Sequence, residues 1–440
     1  MTALNDTNDT NPKSSQSRLI KTVNSARVFL KLLGVFLPYS IRLLRIRIGT
    51  IYHNLTYKPV DSPKNVIVVG GSFAGVQVAN WLANAVPLGH RVVLVEKNSH
   101  FNYLFAFPRY AVVAGYERGA FIPYEDILGD AVKKGSLLRI RSEALTATAT
   151  QLLLADGQAI DYAYLIIATG SSQSPPAKWI STGREGACDE MRSTQRSVSK
   201  ASRIVVLGSG AVGVEIAADI KTYFPDKYVT LFSSRNVVMP QFGRKLQIDV
   251  ADTLKQIGVV VRYNTRPKAL PDRKSIQLPD GTTEEYDFVL SCTGQTPNSA
   301  LLNALAPQAI SKQTGRILVK PTLQLQPADD FSFPNIFALG DVAEHGGPRM
   351  ARAVFMQAGI VRDNILGLIK GRSPSQQYLP HVWIEGAIQV TVGKNKSFAY
   401  MPGDNGTDML FAGAGYPDDF NIAHGWRLVG ANYPGHGKLS

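Results

Sequence analysis

The sequence predicts an α/β protein built on two strand–helix–strand units, because one ordered pattern of β-branched run, glycine turn and apolar helix occurs twice, about 138 residues apart. In the first unit Val66–Val69 runs into Gly70-Gly71, a helix pattern covers Val76–Val86, and the strand Arg91–Val95 is closed by Glu96. In the second, Ile204-Val205-Val206-Leu207 leads into Gly208-Ser209-Gly210, a helix over Val212–Tyr223 and the strand Tyr228–Phe232. Three further apolar runs end in turn residues: Tyr164–Ala168 before Thr169-Gly170, Asp287–Cys292 before Thr293-Gly294, and Asn335–Leu339 before Gly340-Asp341. Between the two units lie an aromatic-rich stretch, Phe101–Tyr124, and irregular strands near Leu137–Leu154.

A chain of 440 residues that is 45% hydrophobic and 18% charged has apolar material for two or three cores. Its two cysteines, Cys188 and Cys292, are far apart and form no CxxC, which argues against a disulfide scaffold, a zinc ribbon and a dithiol redox centre. No metal site is expected. Electron transfer by this chain would run through a bound cofactor.

The net charge of +13 is uneven. Residues 10–60 hold no Asp or Glu but carry Lys13, Arg18, Lys21, Arg27, Lys31, Arg42, Arg45, Arg47 and Lys58. Apolar residues such as Val28, Phe29, Leu32, Leu33, Phe36, Ile41 and Leu44 interleave with these cations, which favours an anionic lipid surface over nucleic acid. The uncharged run Leu32–Ile41 is about half of a bilayer span, so residues 18–48 are expected to lie on a membrane without crossing it. Pro38 is expected to divide this helix into Ser25–Leu37 and Tyr39–Ile48. Asp6 and Asp9 disfavour a signal or transit peptide, and Met1-Thr2-Ala3 lacks the glycine that myristoylation requires. Pro59-Val60-Asp61-Ser62-Pro63 reads as a linker, and the expected setting is intracellular, on the cytosolic face of a membrane or in mitochondria.

A G-x-G-x-x-G turn between strand and helix lets the backbone approach a pyrophosphate whose charge meets the helix N-terminus. Gly208, Gly210 and Gly213 supply all three glycines; in Gly70-Gly71-Ser72-Phe73-Ala74-Gly75 the middle position is serine, so either the backbone shifts or the hydroxyl joins in binding. A single such turn is as often plain helix packing as a ligand site, whereas two in register are hard to ascribe to chance. Glu96 stands where a carboxylate accepts bonds from both adenosine ribose hydroxyls and would repel a 2′-phosphate, as suits FAD. The matching strand of the second unit ends in Ser233-Ser234-Arg235, a set suited to a 2′-phosphate; NADPH is favoured there, with NADH left open.

Together with Ala168-Thr169-Gly170, Thr293-Gly294-Gln295-Thr296-Pro297-Asn298 and Ile336–Ala343, these residues resemble the pyridine-nucleotide disulfide reductase-like flavoproteins over residues 64 to about 370. Within them the chain looks most like the apoptosis-inducing-factor homologues that include the ferroptosis suppressor and the type II NADH dehydrogenases. The resemblance implies a glutathione-reductase-like pair of Rossmann-like dinucleotide-binding domains, with the NAD(P) domain inserted in the FAD domain and a small α+β region at the C-terminus. The implied divisions are a membrane-associating segment to residue 63, FAD domain 64–172 and 297–378, NAD(P)H domain 173–296, and C-terminal region 379–440. It implies that Asp341, after Gly340, bonds the ribityl chain, that Arg109 of Pro108-Arg109 lies on the FAD, that Leu145 meets the adenine through its backbone, and that Gln357 on a helix over Met350–Gly359 sits beside the isoalloxazine. His345 and Glu344 follow Gly340-Asp341 closely, where a solvated loop is the simpler reading; no catalytic residue is assigned. The tail 404–440 matches no familiar pattern.

The implied activity is hydride transfer from NADPH or NADH to FAD and onward to a quinone-like acceptor. Two alternatives remain at this point: a flavin-dependent tailoring enzyme for a specialised metabolite, and an FAD-containing signalling protein that binds nucleic acid through its basic segment.

Overall fold

The computed structural model describes residues 12–128, 132–326, 333–403 and 407–438, with side chains from Leu33 onward. Its first element, α1, is a single helix from Pro12 to Thr56. The expected break at Pro38 is therefore corrected. Proline removes one N–H and crowds the carbonyl four residues back, which belongs to Gly34, where even a Cβ would meet nothing within 4 Å. Long helical flanks on both sides keep their own bonds, so the loss stays local. Leu33, Leu37, Ile41, Leu44, Ile48, Ile51 and Leu55 are exposed along α1 at steps of three and four, which is one face of a helix. The cations before Leu33 lie outside the described side chains. Among the described residues, no helix is long and apolar enough to cross a membrane.

Met1–Thr56 and Tyr57–Ser440 are separate compact units. In the larger one, β1 (Lys64–Val69), α2 (Phe73–Ala83), β2 (His90–Val95), β3 (Leu137–Ile140) and β4 (Tyr164–Ile167) come first. They are followed by β5 (Arg203–Leu207), α3 (Ala211–Tyr223), β6 (Tyr228–Phe232), β7 (Val260–Arg262) and β8 (Phe288–Ser291), and then by β9 (Ile336–Ala338) and α4 (Ala351–Ile369). α2 begins three residues before the expected Val76 because the turn itself starts the helix, with Ser72 as its extended N-cap.

Two parallel sheets result, in the orders β9-β4-β1-β2-β3 and β7-β6-β5-β8. The central strands are covered on both faces, which is why Val66–Val69 and Ile204–Leu207 read as unbroken apolar runs. β9 follows the whole second sheet in sequence yet pairs with β4 in the first. The second sheet is thus inserted in the chain that builds the first.

The C-terminal region adds an antiparallel sheet, β10 (Ile388–Thr391), β11 (Lys396–Met401) and β12 (Met409–Ala414), and the helix α5 (Ile422–Leu428). Val390, Phe398 and Tyr400 share a core with α3, while Ile422 and Trp426 join the core of the first sheet. Trp426 also donates to the Gly119 carbonyl at 2.8 Å. Residues from 388 onward therefore belong to both cores, which the sequence pattern did not reveal.

Candidate functional site

In both sheets the strand order reverses at the first strand of the unit, the place beyond whose strand ends open α/β sheets take their ligands. In the first sheet it holds a cleft of about 780 Å³. Gly70, Gly71, Ser72, Glu96, Leu145 and Thr169 are on its wall. Gly70 has φ +98°, and a Cβ there would stand 2.5 Å from the Ala168 carbonyl oxygen; a Cβ on Gly75 would stand 1.6 Å from the Gly70 carbonyl oxygen. Both glycines are steric requirements of the turn. Phe73, Ala74 and Gly75 form the first turn of α2 behind the wall, and Gly170, with φ +65°, accepts from Asn298 N–H at 3.0 Å. The Ser72 side chain makes no capping bond, so its hydroxyl is available to the cleft.

Glu96 is nearly buried; its carboxylate accepts from the N–H of Gly71 and, at 2.7 Å, from that of Asn98. Burial holds its carboxyl above the usual range, against the pull of those backbone donors. Asp341 accepts from Ser171 Oγ at 3.2 Å and Gln295 Nε2 at 2.8 Å, and Ser171 is on the cleft wall. Gln357, fully buried on α4, accepts from Gly340 N–H at 2.9 Å, which positions the Gly340-Asp341 turn.

Sequence reasoning missed Lys178 and Trp179, both on the cleft wall. Lys178 donates to the Ser171 carbonyl; burial lowers its affinity for a proton while Asp341 and Glu96 raise it. Its only signal in the sequence was an isolated lysine in a Ser- and Pro-rich loop.

At the second turn Gly208 has φ +107°, and a Cβ on Gly213 would stand 1.8 Å from the Gly208 carbonyl oxygen. Over Gly210, the N-cap of α3, a Cβ would meet nothing within 4 Å, so the space in front of the helix N-terminus is open. Gly294 has φ +80° at the end of the neighbouring strand. Ser233 is buried and donates to the Val237 carbonyl at 2.7 Å, whereas Ser234 and Arg235 are exposed.

Two expectations need correction. The guanidinium of Arg109 is fully buried and faces α3 instead of the cleft: Nε pairs with Asp219 at 2.8 Å, Nη1 donates to Tyr223 Oη at 3.2 Å, and the carbonyls of Gly393 and Tyr416 accept at 3.3 Å. Its donors are spent on a clasp between Phe107–Tyr110, α3 and the C-terminal region. The reason is electrostatic, since a buried Asp219 holds a guanidinium more firmly than neutral neighbours do. His345 is likewise not in a solvated loop: its Nδ1 accepts from Gly347 N–H at 3.1 Å, its ring meets Tyr378 edge-on, and burial lowers its pKa to about 4. Glu344 accepts from Thr314 Oγ1 at 2.7 Å.

Residues 64–358 match the family model described as pyridine nucleotide-disulphide oxidoreductase. The chain belongs to that family. Accordingly it is an oxidoreductase that depends on FAD and uses NAD(P)H. Among its relatives, Fe-regulated protein 8 of Mycosarcoma maydis is 31% identical over 361 residues, covering 77% of this chain and 88% of that protein. Ferroptosis suppressor protein 1 of Taeniopygia guttata is 29% identical over 388 residues, covering 85% and 98%. The sulfide:quinone oxidoreductase of Aquifex aeolicus shares the fold, with a TM-score of 0.65 at 18% identity, over 80% of this chain and 87% of that one.

Proposed function

We propose that this enzyme passes electrons from NAD(P)H through FAD to a quinone-like acceptor at an anionic membrane surface. The observation that carries the reading is the first cleft, where a steric glycine turn, an uncapped helix N-terminus and a buried carboxylate at the next strand end converge. When bound, the flavin supplies the redox chemistry: it accepts a hydride and releases electrons to the acceptor. The chain's own residues bind and orient.

Gly70, Gly71 and Ser72, with the N–H groups of Phe73 and Ala74 and close packing at Gly75, would hold the FAD pyrophosphate. Glu96 would take the ribose, the Leu145 backbone the adenine, and Asp341, supported by Gly340 and Gln357, the ribityl chain. Thr169-Gly170 and Gly294 would flank the bound cofactors. Gly208, Gly210 and Gly213 would hold the NAD(P)H pyrophosphate, and Ser234 with Arg235 the 2′-phosphate of NADPH. Arg235 is exposed and its guanidinium has no partner among the described residues.

A quinone-like acceptor is supported by the cysteines. Cys188 is buried, burial pushes the Cys188 thiol up to about 11, and Cys292 stands over a hundred residues away in sequence, so no dithiol relay is built. The quinone named for the Aquifex enzyme points the same way. The membrane is supported by the exposed apolar face of α1, between whose residues Arg42, Arg45 and Arg47 recur; each such cation near an anionic surface is worth about 1 kcal/mol. The test is spectroscopic. The purified protein should be yellow, bleach on anaerobic addition of NADPH, and recover its colour on addition of one member of a quinone panel. A flavin that NADPH reduces but that no quinone reoxidises would overturn the acceptor.

A further inference from the structure

The first sheet has a second, opposite end. β1 climbs from Lys64 to Val69, about 20 Å of strand, so its first residue lies far from the glycine turn. At that end is another cavity, of about 310 Å³, at the small end of the range for ligand pockets.

Its walls differ in character. Lys64 and His90 are register partners on β1 and β2, so their side chains enter it side by side. The His90 carbonyl accepts from Tyr57 Oη at 3.0 Å, which fixes the backbone there, and the ring's Nδ1 is buried beside the Leu88 backbone. Burial, with a smaller contribution from the Lys64 charge, holds this imidazole below its usual pKa against a hydrogen bond with the Leu88 backbone. Tyr164 and Asn335 add polar edges, and Leu368 and Ile369, from the end of α4, form an aliphatic wall. Among the described residues no carboxylate lines the cavity beside Lys64.

We propose that this cavity binds a small anionic amphiphile, its carboxylate or phosphate head held by Lys64 and the His90 ring and its first methylenes laid against Leu368 and Ile369. The inference is independent of the redox reading, because none of these residues takes part in the nucleotide cleft.

The test is calorimetric titration of the full-length holoprotein with octyl phosphate and octanoate, each below its micelle concentration, and with inorganic phosphate and octyl glucoside. One or both anionic amphiphiles should bind at least tenfold more tightly than either control, and their ranking identifies a phosphate or a carboxylate head. In the double variant Lys64→Gln, His90→Gln, affinity should fall about tenfold or more, while the rate of flavin reduction by NADPH stays at the wild-type value. Any binding along α1 is common to both proteins and cancels in this comparison. Lys64→Gln alone, an exposed change that leaves the core untouched, should show a smaller loss in the same direction. Inorganic phosphate binding as tightly as octyl phosphate, octyl glucoside binding as tightly as either anion, no binding of either anion, or undiminished binding by the double variant would each overturn the proposal.

Discussion

Replacing Arg109 by alanine separates a clasp from a cofactor ligand. In the native protein Arg109 Nε and Asp219 Oδ2 are 2.8 Å apart, and both side chains are 0% exposed. Removing one partner of such a pair leaves a buried charge uncompensated, at a cost of about 3–5 kcal/mol. The carbonyls of Gly393 and Tyr416 lose a donor as well, and part of this cost is returned when Asp219, whose pKa burial already raises to about 6, takes up a proton. Arg109→Ala should therefore destabilise the apoprotein by about 3 kcal/mol or more in urea unfolding. Arg109→Met combined with Asp219→Leu should recover much of the loss, because an apolar pair of similar volume carries no desolvation penalty. FAD affinity of the folded protein should change little. The reasoning fails if apoprotein stability is unchanged in Arg109→Ala while FAD affinity drops tenfold or more, the result expected of an arginine lying on the flavin.

Four further outcomes follow from the same geometry. Asp341→Ala should weaken FAD retention through gel filtration, measured as the ratio of flavin to protein absorbance, with far-UV circular dichroism unchanged. NADPH should reduce the flavin more efficiently than NADH, and Arg235→Ala should erode that preference about tenfold in kcat/KM, in line with one charged hydrogen bond; equal wild-type efficiencies would remove the 2′-phosphate site. Glu215, buried on α3 and accepting from Thr391 N–H at 3.1 Å, has its carboxyl pushed by burial to about 8. The native state then holds a proton that the unfolded chain has released, so stability should decline as pH rises from about 4.5 to 8, and Glu215→Gln should flatten the decline. Wild-type protein should co-sediment with anionic vesicles and a chain lacking residues 1–58 should not; equal behaviour of the two would refute the tether.

What the sequence by itself determined lies where a local stretch of chain states its own requirement. Gly70, Gly75, Gly208 and Gly213 are legible because only glycine lets strand and helix approach so closely at the turn, and the approach is made by neighbours in sequence. Glu96 is legible because its place at a strand end follows from the unit that contains it, and the unbroken apolar runs disclose parallel strands covered on both faces. Tertiary structure alone decided the rest. Arg109 meets Asp219 across 110 positions of chain, Lys178 enters the cleft from a loop without pattern, and His345 packs edge-on against Tyr378, which lies 33 residues on. The C-terminal region joined two cores for the same reason. Turn and strand signals arise from backbone sterics within a few residues, whereas the environment of a long polar side chain depends on which distant element packs against it, and no local pattern in the chain records that choice.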